Sequence, residues 1–80
     1  MKQEGVVIDY NGYDGIIETV KKEQFILLRE EIVDDEALNK LDKVMFVPEY
    51  KQYESSEYNI ARFVRKLHKS NQSNNRDLNI

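Results

Sequence analysis

Five tyrosines and a short run of cations are the side chains with the clearest chemical use in this chain. Tyr10 and Tyr13 flank an Asn-Gly pair, while Tyr50, Tyr53 and Tyr58 fall in a polar stretch. Arg29, Arg62, Arg65 and Lys66 supply positive charge, and four fixed cations lie within the eight residues from Arg62 to Lys69. Rings interleaved with cations suit a single-stranded nucleic acid, because every base has a face that stacks and every phosphate attracts a cation. Tyrosine and arginine are equally favoured at protein interfaces, so a protein partner fits the same residues. A plainer structural reading also stands beside both: half-buried strand tyrosines, and an ordinary solvated strand end.

Catalytic constellations are missing. There is no cysteine, and His68, the one histidine, lies near the polar tail, where nothing would hold a base in register, so no Ser-His-Asp or Cys-His arrangement is evident. The acidic run Glu30, Glu31, Asp34, Asp35, Glu36 lacks the ligand spacing and central glycine of a calcium loop, and suits a solvated face or a helix start. Gly12 and Gly15 are too few and wrongly spaced for a phosphate-binding loop. The expectation is a non-enzyme with no cofactor and no metal.

Short strands must position these residues. Gly5–Tyr10 is rich in β-branched and aromatic residues, and Asn11-Gly12 after it is a strong hairpin signal. Gly15–Val20 reads as the returning strand, Lys21-Lys22-Glu23 as a turn, and Gln24–Leu28 as a buried third strand. From Glu30 to Leu41 the period of two is lost. A short helical turn is expected there, capped by Asp34 or Asp35, with Ala37, Leu38 and Leu41 inward. Lys43–Val47 reads as strand four, and Pro48 confines it to an edge or an end. Residues 49–57 read as an exposed loop. Tyr58–Leu67 reads as strand five, with Tyr58, Ile60, Arg62 and Val64 on one face and Ala61, Phe63 and Arg65 on the other. The fold class expected is all-β: a small five-stranded OB-type barrel with one short helical turn between strands three and four.

Eighty residues allow one domain, here 1–68, followed by a polar tail over 69–80 expected to be disordered. The absence of cysteine, of a long apolar run and of a leader pattern at the start leads us to expect a cytoplasmic protein. Asn71-Gln72-Ser73 matches a glycosylation sequon, which has no use in that compartment. Residues 1–61 carry 14 acids and 7 bases, whereas residues 62–80 carry 1 acid and 5 bases. An acidic body with a basic end suggests a directional interaction surface, or simple complementarity within the fold or between copies.

The order of landmarks resembles that of cold-shock domains. Gly5-Val6-Val7 followed by Tyr10-Asn11 is similar to their opening, and Gly15-Ile16-Ile17 to the end of their second strand. Phe25-Ile26-Leu27-Leu28 with Ile32, Leu41-Asp42-Lys43-Val44-Met45-Phe46, and Asn59-Ile60-Ala61-Arg62-Phe63-Val64 resemble strands three, four and five. The resemblance spans residues 4 to about 67. It implies an OB barrel that takes single strands on two aromatic-rich motifs. In this chain those motifs fall on Tyr13-Asp14-Gly15-Ile16 and Ile26-Leu27-Leu28-Arg29, where most of the expected rings are absent, and Asp9 stands where a tryptophan is usual. Each lost platform removes about 1–3 kcal/mol of base stacking.

Two readings of function follow. On the first, the chain binds single-stranded RNA or DNA through Tyr10, Tyr13, Phe25, Arg29 and Tyr58, with Arg62, Arg65 and Lys66 holding phosphates. On the second, the barrel has exchanged that ligand for a protein partner, and the exposure of Ile26 and Leu28 separates the two.

Overall fold

We describe the protein from a computed structural model. The structure describes residues 1–54 and 56–68, with Tyr53 described by its backbone alone. The expected tail over 69–80 lies outside the described residues. Five strands form a closed barrel in the order β1-β2-β3-β5-β4: β1 (Gln3–Tyr10), β2 (Asp14–Glu18), β3 (Gln24–Leu28), β4 (Lys43–Tyr53) and β5 (Ser56–Lys66). All neighbours are antiparallel except β3 and β5, which meet in parallel at Ile26 and Ile60.

Alternation along β1 to β4, broken in β5, builds the core. Val7, Ile17, Phe25, Leu27, Val44, Phe46, Ala61 and Val64 point inward and are fully buried, and Ile32 and Leu38 from the β3–β4 connection close the barrel. Phe25 and Phe46 pack with ring centroids 4.9 Å apart. Phe25 was expected among the ligand contacts, but it is 1% exposed. The continuous apolar run of β3 is apolar on both faces, so composition alone did not show which face Phe25 takes. Leu27 lies two residues on, and the pair fills the barrel axis.

The first turn follows its sequence signal. The Asn11 side-chain oxygen accepts hydrogen bonds from the backbone N–H of Tyr13 (2.8 Å) and Asp14 (2.9 Å), and Gly12 takes φ 97°. Gly15 permits β1 and β2 to cross closely at a bulge between Val7 and Asp9. A Cβ on Gly15 would lie 2.1 Å from the Asp9 carbonyl oxygen, a distance no side chain tolerates.

Three expectations need correction. The β3–β4 connection holds two 3-10 turns, Arg29–Glu31 and Val33–Asp35, in place of a capped α-helical turn. Asp34 and Asp35 both have positive φ, which a helix cap does not use. Leu38 goes inward as expected, but Ala37 is exposed and Leu41 is 75% exposed, because no helix carries them to one face. Second, β4 runs through Pro48 to Tyr53 and pairs with β5 down to Tyr53 and Ser56. The stretch expected as a loop is a two-stranded ribbon. Pro48 is tolerated because β1 pairs with β4 only from Lys43 to Phe46, so β4 is an edge beyond that point.

Third, β5 does not alternate throughout. Its register to β4 shifts between the pairs Arg62–Val47 and Arg65–Met45, so Phe63 and Val64 together oppose Phe46. This is a β-bulge. Phe63 has φ 53° and is 63% exposed, while Ala61 and Val64, three residues apart, are both fully buried.

Candidate binding faces

The outer surface of β2, β3 and β5 is set by the same alternation. Ile16, Ile26 and Ile60 are each next to a buried residue and are cross-strand partners, Ile16 with Ile26 and Ile26 with Ile60. Each is half-buried, as is Leu28. Asp9 is the β1 partner of Ile16, Asp14 is the partner of Leu28, and Glu18 lies two residues from Ile16 on its face. This face is an aliphatic row edged by carboxylates. Aliphatic groups bury against a partner but provide no ring for a base to stack on. With Ile26 and Leu28 half-buried, the patch they form is real but narrow.

Tyr13 and Arg29 meet at one end of this face. The Asn11 turn projects Tyr13, which is 70% exposed. Arg29 donates its backbone N–H to the Tyr13 carbonyl at 2.9 Å, and its guanidinium carbon lies 6.0 Å from the Tyr13 ring centroid, at the limit of cation–π attraction. Beside them is a cleft of ≈ 330 Å³ lined by Tyr10, Gly12, Arg29, Ile32, Glu36 and Leu38. Tyr10 is half-buried and packs against the core. Tyr58 is 37% exposed and lies on the ribbon, paired with Lys51.

The basic strand behaves differently from its sequence appearance. Arg62 Nε donates to Glu31 Oε1 at 2.9 Å, and its Nη1 donates to Glu49 Oε1. The Glu49 hydrogen bond first, and the charge of Glu31 second, hold the guanidinium more firmly protonated than usual. Two carboxylates on one cation leave the cluster net negative. Lys66 lies 3.5 Å from Asp42, and its backbone N–H donates to Glu36 at 2.9 Å. The Glu36 carboxylate also lies 2.7 Å from His68 Nε2. The Lys66 amide above all, then His68, keep the Glu36 carboxyl below its ordinary value near 4.5. Arg65 is exposed. Arg62 and Lys66 therefore tie the β3–β4 connection to β5, and of the three expected phosphate contacts Arg65 is the least committed.

The structure thus brings Tyr10, Tyr13 and Arg29 together, and holds Tyr58, Arg62, Arg65 and Lys66 apart from them along β5. Among the described residues no helix is long and apolar enough to cross a membrane, and no group of three or more His, Cys, Asp or Glu is placed to hold a metal ion. The residue that sequence reasoning missed is Phe63. A signal for it was present: Ala61 and Val64 cannot both face the core of a regular strand.

No protein-family profile matches the chain, and no curated protein matches it. Among solved structures, the cold-shock domains four to six of drosophila Unr superpose with a TM-score of 0.66 at 17% identity, over 85% of this chain and 27% of that one. This chain accordingly spans about a quarter of that structure's length. Barrel order, the Asn-Gly turn, the buried β3 ring and this superposition agree, and the fold of the chain is that of a cold-shock-like OB barrel.

Proposed function

We propose that this domain is a non-catalytic, cytoplasmic binding module for single-stranded RNA or DNA. The observation that supports it most is the exposed Tyr13 ring near Arg29, which with Tyr10 and Gly12 lines a cleft on an OB-type barrel. A base stacks on Tyr13, Arg29 meets the adjoining phosphate, and Tyr10 forms the cleft wall. Tyr58 and Arg65 flank the path. Arg62 and Lys66 act through the fold, since carboxylates already occupy them. With one open ring at this end and acids along the row, affinity in the micromolar range at low salt is expected. The test is fluorescence anisotropy of labelled single-stranded oligomers at two salt concentrations, with the Tyr13→Ala variant alongside. Salt-sensitive binding that Tyr13→Ala weakens by about tenfold fits one lost stack. Absence of binding at low salt would sink the reading.

One observation favours a second reading. The row Ile16–Ile26–Ile60 with Leu28 suits the apolar centre of a protein interface, and its carboxylate border suits a basic partner. If oligomers do not bind and Ile26→Lys disrupts a measured association with a protein or a second copy, this reading takes the lead.

A further inference from the structure

The bulge in β5 presents an aromatic side chain in a backbone conformation that disfavours it. Phe63 has φ 53°, in the left-handed region where the Cβ of an L-residue crowds the backbone. At this bulge position glycine is the usual solution. The ring does not recover the strain by burial, since it is 63% exposed. An exposed ring on a strained backbone is disfavoured on both counts, and such residues cluster where a ligand is held.

The surroundings of the ring specify a ligand. On one side, Phe63 shares a small hollow with Lys2, Met45, Val47 and Arg65. On the other, it borders a shallow cleft with Val47, Pro48, Glu49 and Arg62. Lys2 and Arg65 are both exposed. Arg62 is taken up by Glu49 and Glu31, so this side is net negative and supplies no cation. The ring therefore has an apolar floor of Met45 and Val47 and two available cations on one flank. A planar apolar group that carries negative charge on a neighbouring unit fits this arrangement. A nucleobase with its phosphate has that form, and an acidic peptide offers only the charge.

We propose that Phe63, Arg65 and Lys2 form a second single-strand contact on the β4–β5 face, where a base stacks on Phe63 and the adjoining phosphates meet Arg65 and Lys2. The ligand class and Arg65 come from the single-strand reading above, but Phe63, Lys2 and the face are different.

Phe63→Asn provides the decisive test, because asparagine tolerates the left-handed region and removes the ring. The expected result is an unchanged or higher urea midpoint together with oligomer binding weakened about five- to 100-fold. Phe63→Tyr keeps the ring and should bind as the wild type does. Arg65→Ala should lower the salt dependence of log K by about 0.7, the value of one phosphate contact to a single strand. Tyr13→Ala is measured in parallel. If the wild type binds and Tyr13→Ala weakens it while Phe63→Asn does not, the Phe63 contact is overturned and the Tyr13 reading survives. Failure of the wild type to bind any oligomer overturns both. Equal displacement by polyglutamate of matched charge overturns the stacking contact in favour of a general anion surface.

Discussion

Across β1, β2 and β3 the outward side chains are Ile16, Ile26 and Leu28, with Asp9, Asp14 and Glu18 around them. Across β4 and β5 they are Met45, Val47 and Phe63, with Lys2 and Arg65 beside them and Arg62 held by two carboxylates. The resemblance read from the sequence implies rings on the first face, and this chain carries aliphatic groups there. The second face holds a ring and cations at a bulge. A barrel fixes two sets of outward positions with equal precision, and it does not dictate which set carries ligand chemistry. On the proposed reading the ligand chemistry divides between the Tyr13 corner and β5.

Substitutions can break that comparison, and the largest effect comes from a residue on neither face. Phe25→Ala should lower stability by about 3–5 kcal/mol, the range for deleting a buried ring. A domain of this size holds only about 4–12 kcal/mol in total. Chemical denaturation followed by circular dichroism should therefore show a largely unfolded or barely stable variant. A variant of normal stability with weakened ligand binding would instead return Phe25 to the surface. Gly15→Ala should come next, at about 2–4 kcal/mol, since its Cβ collides with the backbone of β1 and must displace the strand.

Arg62 and Arg65 sharpen the comparison from within one strand. Arg62→Ala should lower the urea midpoint, because Glu31 and Glu49 then face each other without their cation, and leave the salt dependence of binding nearly unchanged. Arg65→Ala should do the reverse. Equal loss of salt dependence in the two variants would show that Arg62 leaves its carboxylates to meet phosphate.

The smallest effect is the one with pH. The folded state depresses the Glu36 carboxyl, chiefly through the Lys66 amide and then His68. A depressed carboxyl stabilises the fold above its unfolded value, near 4.5, and that contribution disappears as pH falls through the lower folded value. Glu36→Gln should therefore be less stable than wild type by about 1 kcal/mol at pH 7 and differ from it less at pH 3. A constant difference across that range would mean that the carboxylate charge is not what holds β5.

The barrel was legible because its signals are local. Asn11-Gly12 marks its own turn, and β-branched runs mark β1 to β3 at their correct places. Of the three residues expected inward in the acidic stretch, Leu38 is buried, whereas Ala37 and Leu41 are exposed because their assignment relied on a helix that does not form. The ribbon formed by residues 49–53 and 56–57 was not legible, since its polar residues satisfy a strand only when a partner strand supplies hydrogen bonds. The roles of Arg62 and Lys66 depend on Glu31, Glu49 and Asp42, which lie 13 to 31 positions away in the chain and share no pattern with them. Phe25 was placed among the ligand contacts and Phe63 on the face of Ala61 for related reasons. In β3 both faces are apolar, and in β5 one inserted residue reverses which face is inside.

Pro48 has a consequence for how copies of this protein behave together in solution. Beyond Phe46, β4 has a partner on one side only, so the ribbon presents an open strand edge that a neighbouring molecule could extend. Proline supplies no amide hydrogen at that point, and Glu49 and Lys51 add charge along the same edge. The ribbon thereby reaches into solvent with its capacity for intermolecular sheet growth interrupted. Pro48→Val should leave the barrel folded and increase light scattering with concentration. If scattering is unchanged, the charged residues alone keep the copies apart.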